Sequence, residues 1–248
     1  MTSFPYRLTG PIGAKATLGL IVLQVDETVE QDFRRAFAVP DVALHMSRIP
    51  SGAELTPGTI AAMEAELPRA AALLPPSAQF DAVGYACTSG TTLIGAQKVT
   101  SLVTGSANTR AVSNPLTASV AALQVVKARS IAIVSPYIAS VADAISMTFG
   151  AHGFDVRDTI SFGEDIEARV ARIDPQSIHA AAMQAGRADG VEAVFLSCTN
   201  LRTFDIIDDL ENRLGLPVIS SNQALVWHMA RSCGAPVTAE APGGLFRL

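Results

Sequence analysis

Short β-branched and aliphatic runs alternate with longer alanine-rich segments along nearly the whole chain, and few folds accept that order. The runs lie at 17–24 (TLGLIVLQ), 42–49, 80–87 (FDAVGYAC), 109–113, 129–135 (RSIAIVS), 154–161, 191–198 (VEAVFLSC) and 216–220 (LPVIS). They lack strict in–out alternation, as expected of strands whose two faces are both covered by helices in a parallel sheet. Between them the apolar period predicts helices over 27–38, 58–74, 90–104, 115–127, 138–151, 164–172, 175–187, 201–213 and 221–232. Strand and helix in alternation imply an α/β architecture with right-handed crossovers. Pro68 lies inside the second helix and predicts a kink or break there. Gly215 is expected to cap a helix end.

Composition narrows the function classes. The chain of 248 residues is 49% hydrophobic and 17% charged, enough apolar content for one large domain or two lobes. A net charge of -5, without basic runs or interleaved aromatics, argues against a nucleic-acid groove. The longest apolar runs fall well short of the roughly 20 residues that span a bilayer, and the amino terminus lacks a secretory signal. Three separated cysteines form neither a disulfide framework nor a CxxC metal motif, and the four histidines show no ligand spacing. With no nucleotide-binding glycine motif either, the expectation is a reduced, cytoplasmic protein without cofactor or metal, acting on a small molecule and not on nucleic acid or membrane.

An internal echo refines this architecture. Val22 and Val134, Cys87 and Cys198, and Asn114 and Asn222 each recur at a spacing of about 110 positions. The expectation is two pseudo-symmetric lobes, each a four-stranded, mainly parallel sheet flanked by helices. Residues 17–113 with 222–248 would form one lobe and 114–221 the other. Ligands of open α/β sheets bind beyond the carboxyl ends of the strands, so the site is expected between the lobes. Cys87 and Cys198 would then face one pocket from opposite walls. Alone, either cysteine reads equally as a small buried apolar residue.

Both cysteines precede residues suited to start a helix: Thr88, Ser89 and Gly90 after one, Thr199 and Asn200 after the other. A helix amino terminus lowers a thiol from its free value near 8.5 to roughly 3.5–7.5. The N–H groups and hydroxyls there would also cradle a substrate carboxylate. Cys233 has no counterpart and reads as structural or surface.

The paired cysteine–threonine strand ends, the tyrosine of SPYIAS and the segment SSNQALVW resemble the aspartate/glutamate racemase superfamily. Within it the chain is most similar to the branch of maleate cis-trans isomerase and arylmalonate decarboxylase. The stretch LGLIVLQVDETVEQDF further resembles the ectoine-utilisation protein A group. The resemblance spans residues 17–232 and implies Rossmann-like lobes and cofactor-independent chemistry beside a carboxylate. It implies that Cys87 and Cys198 are the acid/base or nucleophilic pair, and that Thr88, Ser89, Tyr137 and Thr199 hold the carboxylate or its enediolate; Asn200 joins them as a candidate through the turn after Cys198. On its own, Tyr137 reads equally as a packing residue.

The chain also departs from that pattern. Asp26 and, in FGEDIE, Glu164 and Asp165 stand where maleate isomerases carry asparagines. A carboxylate there repels a second substrate carboxylate and attracts a cationic nitrogen, so Asp26 and Glu164 are candidate substrate-binding residues. For Asp26 a helix-capping role stands beside the ligand role. The expected function is a two-cysteine racemase or isomerase of a small carboxylate, such as an ectoine-derived diaminobutyrate, assembled as a homo-oligomer. The alternatives are a maleate-type isomerase, an arylmalonate-type decarboxylase and a non-catalytic carboxylate-binding protein.

Overall fold

The computed structural model describes residues 3–54 and 57–248. Among these residues eight strands form two four-stranded sheets, in which every strand pairing is parallel. The first contains β1 (Ala16–Leu23), β2 (Val42–Ile49), β3 (Ala82–Ala86) and β4 (Val112–Ser113), in the order β2-β1-β3-β4. The second contains β5 (Ser130–Tyr137), β6 (Asp155–Glu164), β7 (Ala193–Leu196) and β8 (Val218–Ser220), in the order β6-β5-β7-β8. The two orders are the same, so the echo in the sequence is an echo in topology. The central strands β1, β3 and β7 are buried along their whole length. This burial is why their sequences lack alternation.

The helices are α1 (Val29–Ala36), α2 (Pro57–Ala72), α3 (Thr88–Ile94), α4 (Ala96–Thr104), α5 (Pro115–Val125), α6 (Ala139–Ala151), α7 (Glu167–Val170), α8 (Pro175–Ala185), α9 (Ile207–Leu214) and α10 (Ser221–Cys233). Two of them tie the sheets together. Helix α5 leaves the first sheet yet contacts β8, whereas α10 leaves the second and packs on β3 and β4; the two helices also contact each other. Side chains of both sheets consequently share one apolar cluster, from Leu18, Leu20 and Val22 to Ile133, Val194 and Phe195.

Differences from the expected elements have local causes. The helix expected over 90–104 is divided at Gly95, whose φ of 94° lies outside the helical region. Helix α2 runs unbroken past Pro68. Strand β6 continues to Glu164, three residues beyond its expected end, because an irregularity opposite Ser135 and Tyr137 keeps it paired with β5. The helix expected from 164 is therefore delayed and shortened to α7. Gly215 does adopt the left-handed conformation that ends α9.

The approach of α10 to β3 depends on Gly84. A Cβ at that position would lie 2.7 Å from Met229 Sδ and 3.1 Å from Leu20 Cδ1. Gly84→Val is expected to overpack this contact and cost about 1–3 kcal/mol. Urea unfolding followed by circular dichroism measures the shift in midpoint.

Candidate active site

Cys87 follows β3 directly and Cys198 follows β7 after one residue, so equivalent strands deliver both sulfurs to the seam between the sheets. Ser221, the first residue of α10, joins the two turns. Its Oγ accepts hydrogen bonds from the Thr88 hydroxyl at 2.9 Å and from the Cys198 N–H at 3.1 Å. The Thr199 hydroxyl returns across the seam to the carbonyl of Ala86 at 3.4 Å.

Cys87 caps α3 with its own side chain: Sγ accepts from the Gly90 N–H at 3.1 Å and lies 3.7 Å from Ser89 Oγ. A Cβ at position 90 would fall 2.8 Å from this sulfur, so glycine makes room for the thiol there. Cys198 sits differently. Its Sγ lies 2.9 Å from Tyr137 Oη and accepts from the Asn200 N–H at 3.2 Å. Helix α9 begins only at Ile207, after a 3-10 turn at Phe204–Ile206, so Cys198 stands in a turn and not at the expected helix start.

Burial overrides the expected acidification of the thiols. Cys87 is 3% exposed and Cys198 2%. Enclosure pushes Cys87 up to about 11, against the lowering effect of the Gly90 N–H and the Ser89 hydroxyl. Enclosure also raises Cys198 well above the ordinary thiol range, and the negative charge of Glu167 raises it further. The Tyr137 hydroxyl and the Asn200 N–H act in the opposite sense.

Glu167 is the residue that the sequence reading missed. It opens α7 and is 3% exposed. Its Oε1 accepts from Tyr137 Oη at 3.1 Å, and its Oε2 from Asn200 Nδ2 at 3.3 Å. Burial raises its carboxyl pKa; Asn200 and Tyr137 lower it, and the charge of Asp26 raises it again. Glu164, the residue singled out in FGEDIE, makes its side-chain contacts with its own segment. Its carboxylate pairs with Arg169 at 3.0 Å and accepts from the Asp165 and Ile166 N–H groups at 3.2 Å. Asp165 is exposed. The extra length of β6 moves the inward position three residues along the chain, a shift that periodicity alone does not reveal.

Asp26 is buried after β1 and fills one of its two expected roles visibly. Its Oδ1 accepts from the Thr28 and Val29 N–H groups at 2.8 and 2.9 Å, capping the start of α1, while Oδ2 has no hydrogen-bond partner. Burial raises its pKa, while the two N–H groups, the neighbouring Thr199 hydroxyl and the charge of Arg48 lower it. Asn200 binds this turn to Glu167: its Oδ1 accepts from the Glu27 N–H at 2.9 Å, and its carbonyl from the Thr28 hydroxyl at 3.0 Å. Behind Thr199, Asn222 Nδ2 donates to the Thr199 carbonyl at 2.9 Å and to Asp32 Oδ2 at 2.7 Å. Asp32 is itself pushed up to about 7, chiefly by burial.

Cys233 lies on α10 away from this cluster and donates to the Met229 carbonyl. Among the described residues, no group of three His, Cys, Asp or Glu side chains is placed to hold a metal. No helix among them is long and apolar enough to cross a membrane.

Two equivalent parallel sheets, each delivering one cysteine to a common seam, define the two-lobed class of the aspartate/glutamate racemase-like superfamily. Residues 106–246 match the family model described as arylmalonate decarboxylase, and the chain belongs to that family. A maleate isomerase of Pseudomonas putida is 28% identical over 244 residues, covering 92% of this chain and 96% of that protein. The arylmalonate decarboxylase of Bordetella bronchiseptica is 29% identical over 128 residues, 51% of this chain and 53% of its own. In structure, the chain superposes on a maleate cis-trans isomerase of Nocardia farcinica, a mutant with a covalently bound succinylcysteine intermediate. The TM-score is 0.85 at 24% identity, with 94% of this chain and 98% of that one covered.

The raised thiol of Cys87 has a measurable consequence. Below a pKa of about 11 the thiolate fraction grows tenfold per pH unit. Iodoacetamide labelling of Cys87, read by peptide mass spectrometry, is therefore expected to accelerate about tenfold per unit between pH 7 and 9. A plateau beginning below pH 8 would mean that the helix terminus outweighs burial.

Proposed function

We propose that the protein is a cofactor-independent racemase or isomerase of a small carboxylate, with Cys87 and Cys198 as its acid/base pair. One observation carries the reading: two buried thiols on equivalent strands flank a single hydroxyl–carboxylate pair. Tyr137 touches Cys198 and also feels the charge of Cys87, and Glu167 raises both thiols. In this reaction one thiolate removes the α-proton, the carboxylate becomes an enediolate, and the opposite thiol returns a proton to the other face. The Ser89 hydroxyl is a donor for the developing negative charge, and the hydroxyls of Thr88, Tyr137 and Thr199 become donors to it by leaving their present acceptors, Ser221, Glu167 and the Ala86 carbonyl. A donor of this kind is worth about 10²–10³ in rate.

Family membership leaves decarboxylation and cis–trans isomerisation as relatives' activities. The full-length similarity to maleate isomerase favours the second of these. The substrate of this chain differs, in our reading, because Asp26 and Glu167 are buried acids, and Asp26 Oδ2 is unpartnered. Two enclosed carboxyl groups disfavour a dicarboxylate and suit a carboxylate that also carries a cationic nitrogen. A diaminobutyrate derived from ectoine has that chemistry and agrees with the ectoine-utilisation resemblance. The thiols suit a reducing cytoplasm. Phe4, Tyr6, Leu8 and Ile12, all exposed, support a homo-oligomer, which light scattering measures.

The test is solvent-deuterium incorporation, followed by proton NMR, for both enantiomers of 2,4-diaminobutyrate and its acetyl derivatives, with maleate and phenylmalonate beside them. Exchange at the α-carbon is expected for the aminated substrates. Cys87→Ser and Cys198→Ser are each expected to lower it by at least about 10²-fold. Full exchange in either single variant would remove the two-thiol mechanism. Calorimetric binding without exchange in the unmodified protein would identify a carboxylate-binding module.

A further inference from the structure

The contacts of Tyr137 fix the direction of a hydrogen-bonded chain. A phenol has one proton to donate and can accept at its oxygen. Glu167 Oε1, 3.1 Å away, is an acceptor when ionised, so it takes that proton. Cys198 Sγ, 2.9 Å from the same oxygen, must then supply its own S–H to Tyr137 while accepting the Asn200 N–H. The ground state therefore reads thiol to phenol to carboxylate, with Asn200 Nδ2 steadying the far oxygen of Glu167.

We propose that Glu167 is the proton acceptor of Cys198, reached through Tyr137. In one concerted step the S–H bond breaks and its proton bonds to the Tyr137 oxygen. The phenolic O–H bond breaks in turn, and that proton bonds to Glu167 Oε1. The products are a Cys198 thiolate, an unchanged neutral tyrosine and a neutral carboxylic acid. The single negative charge has moved from carbon-bound oxygen to sulfur, and nothing has been gained or lost. Reversal returns the thiol after it has accepted or given a proton at the substrate.

The advantage is electrostatic. Ionising Cys198 by release of its proton to water would leave two like charges together in an enclosed site, which is costly. The relay keeps one charge there throughout. The groups that act on this unit are Asp26, Cys87, Cys198 and Tyr137, all acidic when they titrate, with neutral Asn200 on the other side. Burial raises the Glu167 carboxyl and so favours its protonated form, while the same enclosure raises Cys198. Cys87 is bound to the Gly90 N–H, Ser89 and the Tyr85 hydroxyl, and that phenol leads on to Met63 Sδ and not to a carboxylate among the described residues.

This inference deepens the two-thiol reading and is tested separately from it, with iodoacetamide as the probe and no substrate. In a Cys87→Ser, Cys233→Ser background, labelling of Cys198 is followed by mass spectrometry from pH 6 to 9. A coupled thiol–carboxylate pair labels at a rate that levels off once one proton is lost, because that remaining proton is shared. Glu167→Gln is expected to replace the plateau by a straight tenfold rise per pH unit, because no carboxyl then shares the proton. A plateau retained in Glu167→Gln, or a straight tenfold rise already present before the substitution, overturns the relay. Tyr137→Phe cuts the chain at its middle and is expected to abolish the plateau too, which keeps the test decisive if Glu167→Gln fails to fold. Loss of the relay leaves the deuterium-exchange test of Cys87 and Cys198 standing, and failure of exchange leaves the labelling profile standing.

Discussion

The hydroxyl of Ser221 is the point on which the seam depends. It accepts from the turn that carries Cys87 and from the turn that carries Cys198, and each of those turns comes from a different sheet. Ser221 is fixed in turn by a capping box, in which Ser220 and Gln223 satisfy one another's backbone donors at the start of α10. That helix then packs on the sheet from which it does not emerge, while α5 does the reverse. Exchange of these two helices joins the lobes through a shared apolar cluster that contains Cys198, while Cys87 packs in a second cluster with Tyr85, Val99 and Val103.

Enclosure then governs the chemistry. Helix α3 offers its amino terminus to Cys87, a setting that acidifies thiols in water-exposed sites, yet the missing water costs the thiolate more than the N–H returns. The neighbouring acids compound this, since Glu167 and Asp26 both disfavour further negative charge around Cys198. A site built in this way favours moving a charge over creating one. Burial raises Asp26 and Glu167 as well, so the neutral forms of both carboxyl groups are favoured in this enclosure.

Much of the scaffold was legible in the chain. Buried strands such as LGLIVL and AVFL announce themselves because parallel strands covered on both faces must be apolar throughout. Asn114 and Ser220 mark helix starts through side-chain oxygens that accept the orphan N–H groups. Cys87, Cys198, Thr88, Ser89, Thr199, Asn200, Asp26 and Tyr137 all stand at the seam. The exception is the segment FGEDIE, where a strand that pairs further than its pattern suggests carries Glu164 onto Arg169 and brings Glu167 inward. Ser221 was visible only as part of SSNQALVW, with nothing local to say that its hydroxyl would serve two turns at once.

The amino-acid sequence by itself determined the alternation of elements, their doubling and the strand ends on which the cysteines sit, because period and burial are properties of neighbours along the chain. The protonation order of the site was decided only by tertiary structure. Which carboxylate meets Tyr137 and which hydroxyl meets Cys198 depend on segments thirty or more residues apart. Desolvation, the largest influence on every one of these groups, does not exist until those segments close over one another.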